Sequence, residues 1–213
     1  MALPHFSHQP YWPSSNRSRA RSTWLTRSLM LFASEISCSR SKVLVPVLVV
    51  LIDQLSKELA LNYLTGEPPL RLLWGAVYLN LTRNSGAAFS LGSDYTFVFP
   101  IIAVIVLAGI VWLSRRLRSV AWGVALGLIA GGAVGNLGDR IFRAPAMFHG
   151  HVVDMISLFD EAGRVFPAGA IFNIADSALF CGVVLAIILE FTGRRRDGTR
   201  EVRARKTPAT LDQ

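Results

Sequence analysis

The chain is poor in charged residues and in cysteine. Charged side chains account for 17% of its 213 residues, whereas an average soluble domain carries about 25%. Its two cysteines, Cys38 and Cys181, are too few for a disulfide framework or a cysteine-rich metal site. Hydrophobic residues make up 52% of the sequence. The composition therefore argues against a large soluble catalytic domain and predicts a compact membrane domain of a few helices.

Acidic residues are also scarce relative to basic ones, with 14 Asp and Glu against 22 Lys and Arg and a net charge of +8. The basic residues fall in three separate segments. Residues 1–42 contain six basic residues and one acidic, residues 114–119 contain three basic residues, and residues 192–213 contain seven basic residues and three acidic. A nucleic-acid-binding protein would gather such charge on one folded face. We therefore predict no nucleic-acid partner, and interpret these segments as cytoplasmic flanks of membrane helices.

Four apolar segments are predicted to cross a membrane, because a spanning helix needs about 20 mainly apolar residues. They are Val43–Leu64, Tyr95–Leu113, Val120–Leu137 and Ala168–Phe191. Four spans place all three basic segments on the cytoplasmic side, so both termini are expected there and residues 65–94 and 138–167 are expected to face outward. The predicted fold is an all-α integral membrane protein, with its membrane domain over residues 43–191.

Both basic ends are expected to lie outside the membrane domain. Residues 1–42 are rich in Ser and Arg and lack an apolar period, which predicts a disordered cytoplasmic arm. Two alternatives stay open, a weakly amphipathic helix from Trp24 to Phe32 and a native start at Met30. A cleaved signal peptide fits the pattern poorly. Residues 192–213 are predicted to be a basic cytoplasmic tail whose arginines orient the chain and meet membrane lipids.

Two patterns predict how the outward and buried parts are arranged. Residues 71–91 combine strand-forming apolar residues with the turn-prone sequence Arg83-Asn84-Ser85-Gly86, which predicts a small extracytoplasmic β-hairpin. In the third span, glycine recurs every four residues, at Gly123, Gly127, Gly131 and Gly135. Small residues on one helix face allow a second helix to approach closely, so these glycines are interpreted as a packing face.

Ionisable residues inside a bilayer cost about 2.5–3.5 kcal/mol each, so each one is a functional candidate. In the first span, Asp53 and Lys57 are four residues apart and are predicted to form a structural ion pair. A Ser56–Lys57 nucleophile and base is disfavoured, because adjacent helix positions point about 100° apart. At the end of the third span, Asp139 and Arg140 are expected to form a local ion pair.

Asp176 is expected to lie one to two turns inside the fourth span, with Asn173 three residues earlier on the same face. A carboxylate at that depth needs a partner or a water-lined cavity, and Asp154 in the second outward segment is the candidate partner. Two carboxylates that share one proton can activate a water and polarise a carbonyl. The pair would then hydrolyse an amide without a metal or a covalent intermediate.

Three other interpretations of the same acids stay open. From the residues alone, a structural role explains the two aspartates as well as catalysis does. In that role they only tie the helices together through Asn136, Asn173 or Arg140. They also suit the relay of a small proton-coupled transporter. A metal site at His149, His151 and Asp154 is disfavoured, because the histidines lack a typical ligand spacing.

Five stretches taken together resemble the prolipoprotein signal peptidases, also called type II signal peptidases. They are Asp53–Lys57 (DQLSK), Asn84–Ser90 (NSGAAFS), Gly131–Arg140 (GGAVGNLGDR), Gly150–Asp154 (GHVVD) and Phe172–Ser177 (FNIADS). The resemblance covers about residues 43–191. It implies an aspartic protease of the bacterial inner membrane, with four helices and an extracytoplasmic cradle of short strands. Such an enzyme cleaves the signal peptide of a lipoprotein precursor just before a diacylglyceryl-modified cysteine.

The resemblance also implies a role for each matching residue. Asp154 and Asp176 match the catalytic pair. The supporting residues that match are Asn84, Asn136, Arg140 and Asn173 around the site and Asp53 and Lys57 in the first span. The expected partners are lipid-modified prolipoproteins and membrane lipids, with no cofactor or metal, and the expected state is a monomer. The chain departs from the family in its N-terminal arm and in the insertion-like residues Asp160–Arg164.

Overall fold

The computed structural model describes residues 14–85, 98–159 and 171–200, and side chains from residue 37 onward. Within these residues the chain forms four helices and one three-stranded antiparallel sheet. The elements are α1 (Ser14–Leu64), β1 (Leu70–Leu72), β2 (Val77–Asn84), α2 (Val98–Ser114), α3 (Val120–Phe142), β3 (Val152–Leu158) and α4 (Ile174–Phe191). The prediction of a mainly helical chain with a small sheet is confirmed.

Two of the described helices, α3 and α4, are long and apolar enough to cross a membrane. Helix α2 is apolar but has only 17 residues from Val98 on, and the predicted start of its span at Tyr95 lies outside the described residues. Large apolar side chains such as Ile105 and Phe180 are exposed on the helices, which suits a lipid environment better than water. The predicted count of four spans stays a prediction.

Helix α1 corrects the prediction of a disordered arm over residues 14–42. The helix runs without interruption from Ser14 through the predicted first span. Its first proline is Pro46, so residues 14–45 include no residue that prevents helix propagation, and a helix extends readily once a stable turn exists. Residues 1–13 of the predicted arm lie outside the described residues.

The glycine face of α3 is confirmed as the contact with α1. A side chain at Gly127 would meet Val45, and one at Gly131 would meet Val49, in each case within about 3 Å. Gly135 lies against the Asp53 carboxylate, 2.7 Å from the position that a Cβ would take. On another face of the same helix, Gly132 lies against the backbone of Ala175 in α4. Helix α3 is therefore the central element, packed closely against both α1 and α4.

The sheet has the order β1-β2-β3 and lies beside the ends of α1 and α3. Its tight turn is at Leu73–Gly75, between β1 and β2, where three successive residues have positive φ. The turn was predicted at Arg83–Gly86, of which residues 83–85 are described. The prediction is wrong for these residues, because β2 continues to Asn84 and pairs there with Val152 of β3. Gly75, at the observed turn, adopts a positive φ without strain. This glycine is the sequence signal that would have predicted the turn.

Candidate active site

Asp154 is the third residue of β3 and is almost fully buried, with 2% exposure. It pairs in register with Thr82 of β2, and Asn84 lies two residues further along β2 on the same face. This diagonal arrangement brings the Asn84 side chain to Asp154, where its Nδ2 donates to Oδ2 over 3.0 Å. The sheet therefore fixes both the position and the hydrogen bonding of Asp154.

Asp176 lies in the first turn of α4. Helix α4 begins at Ile174, and Asn173 is its N-cap, accepting from the Asp176 backbone N–H. The Asp176 carboxylate accepts in turn from the Asn173 backbone N–H, which completes a capping box. The expectation that Asp176 lies one to two turns inside the helix is therefore wrong. An asparagine three residues before an aspartate was a signal for a helix start.

A short backbone connection brings the two aspartates together. Phe172 makes two hydrogen bonds with Ile156 of β3, one in each direction, each 2.9 Å long. This pairing places Asn173 beside Asp154, and its Nδ2 donates to Asp154 Oδ1 over 2.6 Å. Its backbone N–H donates to Asp176 Oδ2 over 3.2 Å. Both carboxylates are thus bound by the same asparagine.

Amide groups contact all four carboxylate oxygens of the pair. Asn84 and Asn173 donate to the two oxygens of Asp154, while Asn173 and Asn136 donate to those of Asp176. The Asn136 bond is 2.7 Å long. Each carboxylate oxygen can accept a second hydrogen bond, so both groups retain capacity for a water or a shared proton.

The two aspartates line one cavity of about 300 Å³. Asn84, Asn136 and Arg140 contribute its other polar side chains. The Arg140 guanidinium lies 4.9 Å from the centre of the Phe99 ring, and its charge acts on both aspartates. The remaining lining is apolar and comes from Phe99, Pro100, Ile102, Ala103, Val106, Ala133, Leu137, Val152 and Leu179. The cavity therefore combines a polar end with an apolar wall from α2, α3 and α4.

Burial raises the pKa of Asp154 from its ordinary range to about 6. The nearby charge of Asp176 raises the pKa further, whereas the Asn84 and Asn173 hydrogen bonds and the charge of Lys57 lower it. Burial disfavours the ionised carboxylate because the cavity wall solvates charge poorly. A carboxyl group with such a pKa exchanges its proton near neutral pH, as general acid–base catalysis requires.

A buried charge cluster lies behind the pair. Lys57 Nζ contacts Asp53 Oδ2 at 2.7 Å and Asp139 Oδ2 at 2.8 Å, and all three side chains are fully buried. The predicted Asp53–Lys57 ion pair is confirmed. The predicted Asp139–Arg140 pair is wrong, because Asp139 pairs instead with Lys57 and with Arg143, whose Nε is 2.7 Å from Asp139 Oδ1. Arg143 follows Asp139 by one helical turn, whereas Arg140 is adjacent and points elsewhere.

The cluster is joined to the aspartate pair through Asn136. The Asn136 carbonyl oxygen accepts from Lys57 Nζ over 3.0 Å and from Asn173 Nδ2 over 3.1 Å. Because both of these partners are donors, the Asn136 amide nitrogen must face Asp176. Asp53 Oδ1 also accepts from the Ala175 backbone N–H over 2.9 Å, in the first turn of α4. Helix α1 therefore orients both Asn136 and the start of α4.

Residues 45–192 match the family model described as Signal peptidase (SPase) II. The chain belongs to the signal peptidase II family. It is 44% identical over 155 residues to the lipoprotein signal peptidase of Streptomyces griseus, covering 73% of this chain and 75% of the relative. It is 42% identical over 149 residues to the lipoprotein signal peptidase of Mycobacterium tuberculosis, covering 70% of each chain.

Two solved structures are also similar to this signal peptidase II family member. Both are bacterial membrane enzymes determined by the in meso method. The first has a TM-score of 0.58 at 32% identity, over 70% of this chain and 91% of that one. The second has a TM-score of 0.59 at 31% identity, over 76% and 93%. The protein is thus a protease of a bacterial membrane, and the resemblance on which its family was predicted is confirmed.

Two interpretations that the sequence already disfavours gain no support from the described contacts of this signal peptidase II chain. They are a Ser56–Lys57 nucleophile and base, and a metal site at the histidines. The Ser56 hydroxyl donates to the Asp53 carbonyl over 2.8 Å, while Lys57 binds carboxylates and Asn136. His151 lines a different cavity, beside Arg83 and Arg143. Within the described residues, no group of three His, Cys, Asp or Glu side chains is arranged to hold a metal ion.

The transporter and scaffold interpretations are not favoured either. A proton relay would continue from Asp176 along α4 into the apolar part of the bundle, but the α2 and α4 residues that line the cavity beyond it are apolar, as at Ile102, Val106 and Leu179. Aspartates that only tie helices together need no cavity beside them, yet both line one. The polar partners of the pair gather instead at the sheet end of the helices.

Proposed function

We propose that this signal peptidase II family member is an aspartic endopeptidase that removes the signal peptide from diacylglyceryl-modified prolipoproteins. The observation that carries the proposal is the binding of Asp154 and Asp176 by one asparagine at the wall of a shared cavity. The curated relatives are named lipoprotein signal peptidases, which supports the class of substrate. Cleavage is proposed to occur directly before the lipidated cysteine.

In the proposed reaction, one carboxylate of the pair takes a proton from a water as the water oxygen attacks the scissile carbonyl carbon. The other carboxyl group, which holds the shared proton, donates it to the carbonyl oxygen. The resulting gem-diol intermediate collapses when its C–N bond breaks and the nitrogen takes the proton that came from the water. One hydroxyl of the intermediate returns its proton to the second carboxylate, which gives the carboxylic acid product and restores the starting protonation of the pair. No covalent enzyme intermediate forms. The titration that controls this step belongs to the pair.

The surrounding polar residues hold the pair and receive charge that develops during attack. Asn84, Asn136 and Asn173 fix the two carboxylates through the hydrogen bonds described above. Arg140 lines the same cavity without a salt bridge to either aspartate among the described contacts. We assign it the role of attracting the substrate carbonyl and stabilising the partial negative charge that develops on the carbonyl oxygen before that oxygen is protonated. Asp53 and Lys57 act as positioning residues through Asn136 and the start of α4.

The apolar wall of the cavity suits a lipidated substrate. Ile102 and Val106 are one turn apart on α2 and continue the lining away from the aspartates. An acyl chain or the apolar part of a signal peptide would bury surface there, at about 25 cal/mol per Å². A substrate anchored in the bilayer then presents its peptide bond at the polar end of the cavity. Reaction there does not require the acyl chains to enter water.

We propose that the chain crosses the membrane four times with both termini in the cytoplasm, as a monomer. Arg115, Arg116 and Arg118 lie between α2 and α3, and the basic tail follows α4. The positive-inside rule places these residues in the cytoplasm. The sheet and the aspartate pair lie at the opposite ends of the helices, and hence at the extracytoplasmic face, with membrane lipids around α1–α4.

The proposal is tested by incubating purified protein with two precursor peptides that differ only in diacylglyceryl modification of the cysteine. We expect cleavage of the lipidated peptide before that cysteine and little cleavage of the other. Asp176→Asn and Asp154→Asn are each expected to lower kcat by at least about 10³-fold, as for loss of a residue at the reacting centre. Glu67→Gln, an exposed acid outside the cavity, is the matched control. Normal cleavage by either folded aspartate variant would contradict the mechanism.

A further inference from the structure

A second cavity of polar character lies at the ends of the helices opposite the aspartates. It measures about 500 Å³ and we call it the basic cavity. Its lining residues come from three parts of the chain and are Lys42, Arg115, Arg116, Leu117, Arg118 and Asp197. Four of these six side chains carry positive charge and one carries negative charge. Arg116 also lines an adjacent cavity formed by the first residues of the tail.

Hydrogen bonds hold α1 and the α2–α3 connection together at this cavity. Lys42 of α1 donates from Nζ to the carbonyl oxygens of Ser114 and Leu117, over 3.1 and 2.8 Å. An ammonium group has three N–H donors, and Lys42 also makes a hydrogen bond with the Cys38 side chain. The Cys38 thiol lies against the same connection, 3.5 Å from the Leu117 carbonyl oxygen. The position of the Lys42 charge is therefore fixed by the fold.

The start of the tail is folded back onto the same connection. The backbone N–H groups of Arg118 and Ser119 both donate to the Arg196 carbonyl, over 2.9 and 3.1 Å. Trp122 Nε1 donates to the Arg194 carbonyl over 2.7 Å, and the Arg196 guanidinium lies 5.1 Å from the centre of the Trp122 ring. These contacts hold the three basic segments in place, so the excess positive charge is organised before any ligand arrives.

The charge around the basic cavity is not balanced by its own acid. Asp197 accepts from both the backbone N–H and the hydroxyl of Thr199, over 2.9 and 2.6 Å, and so serves the turn in which it lies. Among the described residues, no salt bridge joins Arg115 or Arg116 to an acid. Like charges held together repel, and a bound anion removes that repulsion. Arginine is suited to phosphate because its planar group can donate two parallel hydrogen bonds to phosphate oxygens.

The cavity lies where apolar helix surface gives way to charge. Trp112 in the last turn of α2 is 72% exposed, and Val43, directly after Lys42 on α1, is 64% exposed. Tryptophan is enriched at the boundary between lipid and water. An anion bound at this level would be the headgroup of a lipid whose chains contact the adjoining helix surfaces. Basic pockets at the cytoplasmic ends of membrane helices suit anionic headgroups for this reason.

We propose that the basic cavity binds the phosphate group of an anionic phospholipid. The inference is independent of the proposed peptidase mechanism, because it concerns the other end of the helices and its test requires no substrate. The lipid would hold α1, the α2–α3 connection and the tail against the inner leaflet. Arg115 and Arg116 would supply the main contacts, with the positive charge of Lys42 beside them.

Native mass spectrometry of the purified full chain tests the proposal with dioleoyl phosphatidylglycerol, dioleoyl phosphatidylcholine and inorganic phosphate as probes. We expect the anionic lipid to bind more tightly than the zwitterionic one. Because a basic residue near a charged headgroup contributes about fivefold in affinity, Arg115→Gln with Arg116→Gln should weaken phosphatidylglycerol binding about 25-fold. The charge-matched control is Arg40→Gln with Arg200→Gln, since both side chains are exposed and line neither cavity. This control should weaken binding less than threefold.

Three results would overturn the proposal. Equal affinity for the two lipids would exclude recognition of the anionic headgroup. An equal loss in the control would show that diffuse surface charge is responsible. Binding of inorganic phosphate as tightly as the lipid would assign the cavity to a soluble anion. If the double variant does not fold, Arg115→Gln and Arg116→Gln are measured singly, and each must show the loss of about fivefold.

Discussion

Replacing Asp154 by asparagine is expected to abolish cleavage and, at neutral pH, to stabilise the protein. The Asp154 pKa of about 6 lies roughly two units above the ordinary value of 3.8. Each unit corresponds to about 1.4 kcal/mol, so the ionised carboxylate lowers the free energy of unfolding by about 3 kcal/mol at neutral pH. Asparagine has nearly the same shape and is never ionised, so it avoids that cost.

The gain is reduced by one lost hydrogen bond. Asp154 accepts from both Asn84 and Asn173, one at each oxygen, whereas an asparagine side chain offers a single acceptor oxygen. One of these bonds is lost, at about 1 kcal/mol. The remaining stabilisation is about 2 kcal/mol, which corresponds to an increase in Tm of roughly 4–8 °C for a chain of this size.

The sign of the pH dependence identifies the cause. The folded protein binds a proton at Asp154 more tightly than the unfolded chain does, so wild-type stability falls as pH rises from about 4 to about 6. The advantage of Asp154→Asn should therefore be complete above about pH 6, whereas below about pH 4 the variant should be less stable than the wild type by the lost hydrogen bond, about 1 kcal/mol. Thermal unfolding of both purified proteins across this range measures it. The reasoning is refuted if the variant is less stable at neutral pH, or if its advantage does not change with pH.

Three further predictions concern the same region. The kcat/KM of the wild type should fall as pH rises through about 6, because Asp154 then loses the proton that the pair donates to the substrate carbonyl, and a pH-independent profile would contradict this. Lys57→Met removes the cation that pairs with Asp53 and one of the two that pair with Asp139, and so leaves the buried Asp53 carboxylate without a salt bridge; it should lower stability by about 3–5 kcal/mol, seen as low accumulation in membranes or a low Tm. Gly132→Ala should destabilise by about 1–3 kcal/mol, because its Cβ meets the Ala175 carbonyl oxygen. Gly138→Ala in the same helix is the control, since nothing lies within 4 Å of its Cβ, and its Tm should be unchanged or higher.

Sequence patterns predicted those features that depend on local periodicity. The four-residue glycine spacing predicted the close face of α3, and the four-residue spacing of Asp53 and Lys57 predicted their ion pair. Both follow from the geometry of a single helix. Asp139 was assigned to the wrong partner, because its contact with Lys57 depends on how α1 and α3 are aligned. No local pattern contains that alignment.

Local sequence patterns likewise could not predict that the two aspartates lie close together. It depends on the backbone pairing of Phe172 with Ile156, which joins the segment before α4 to the edge of β3. The residues themselves were found from motifs, but their common partner Asn173 was expected to lie on a helix face rather than at the cap. A helix start was placed too early because the apolar residues before Asn173 resemble the beginning of a span.

The arrangement behind the pair explains why amides, and not cations, contact the aspartates. Lys57 is matched by Asp53 and Asp139, and Arg143 adds a second positive charge beside Asp139. The positive and negative charges of this cluster therefore nearly cancel, so its net effect on the aspartate pair is small. A lysine bound directly to a carboxylate would favour its ionised form and oppose the sharing of a proton. Asn136 lies between Lys57 and Asp176, so the Lys57 charge acts on the pair only from a distance. The pair is therefore held in position while it remains able to carry the single proton that the proposed reaction needs.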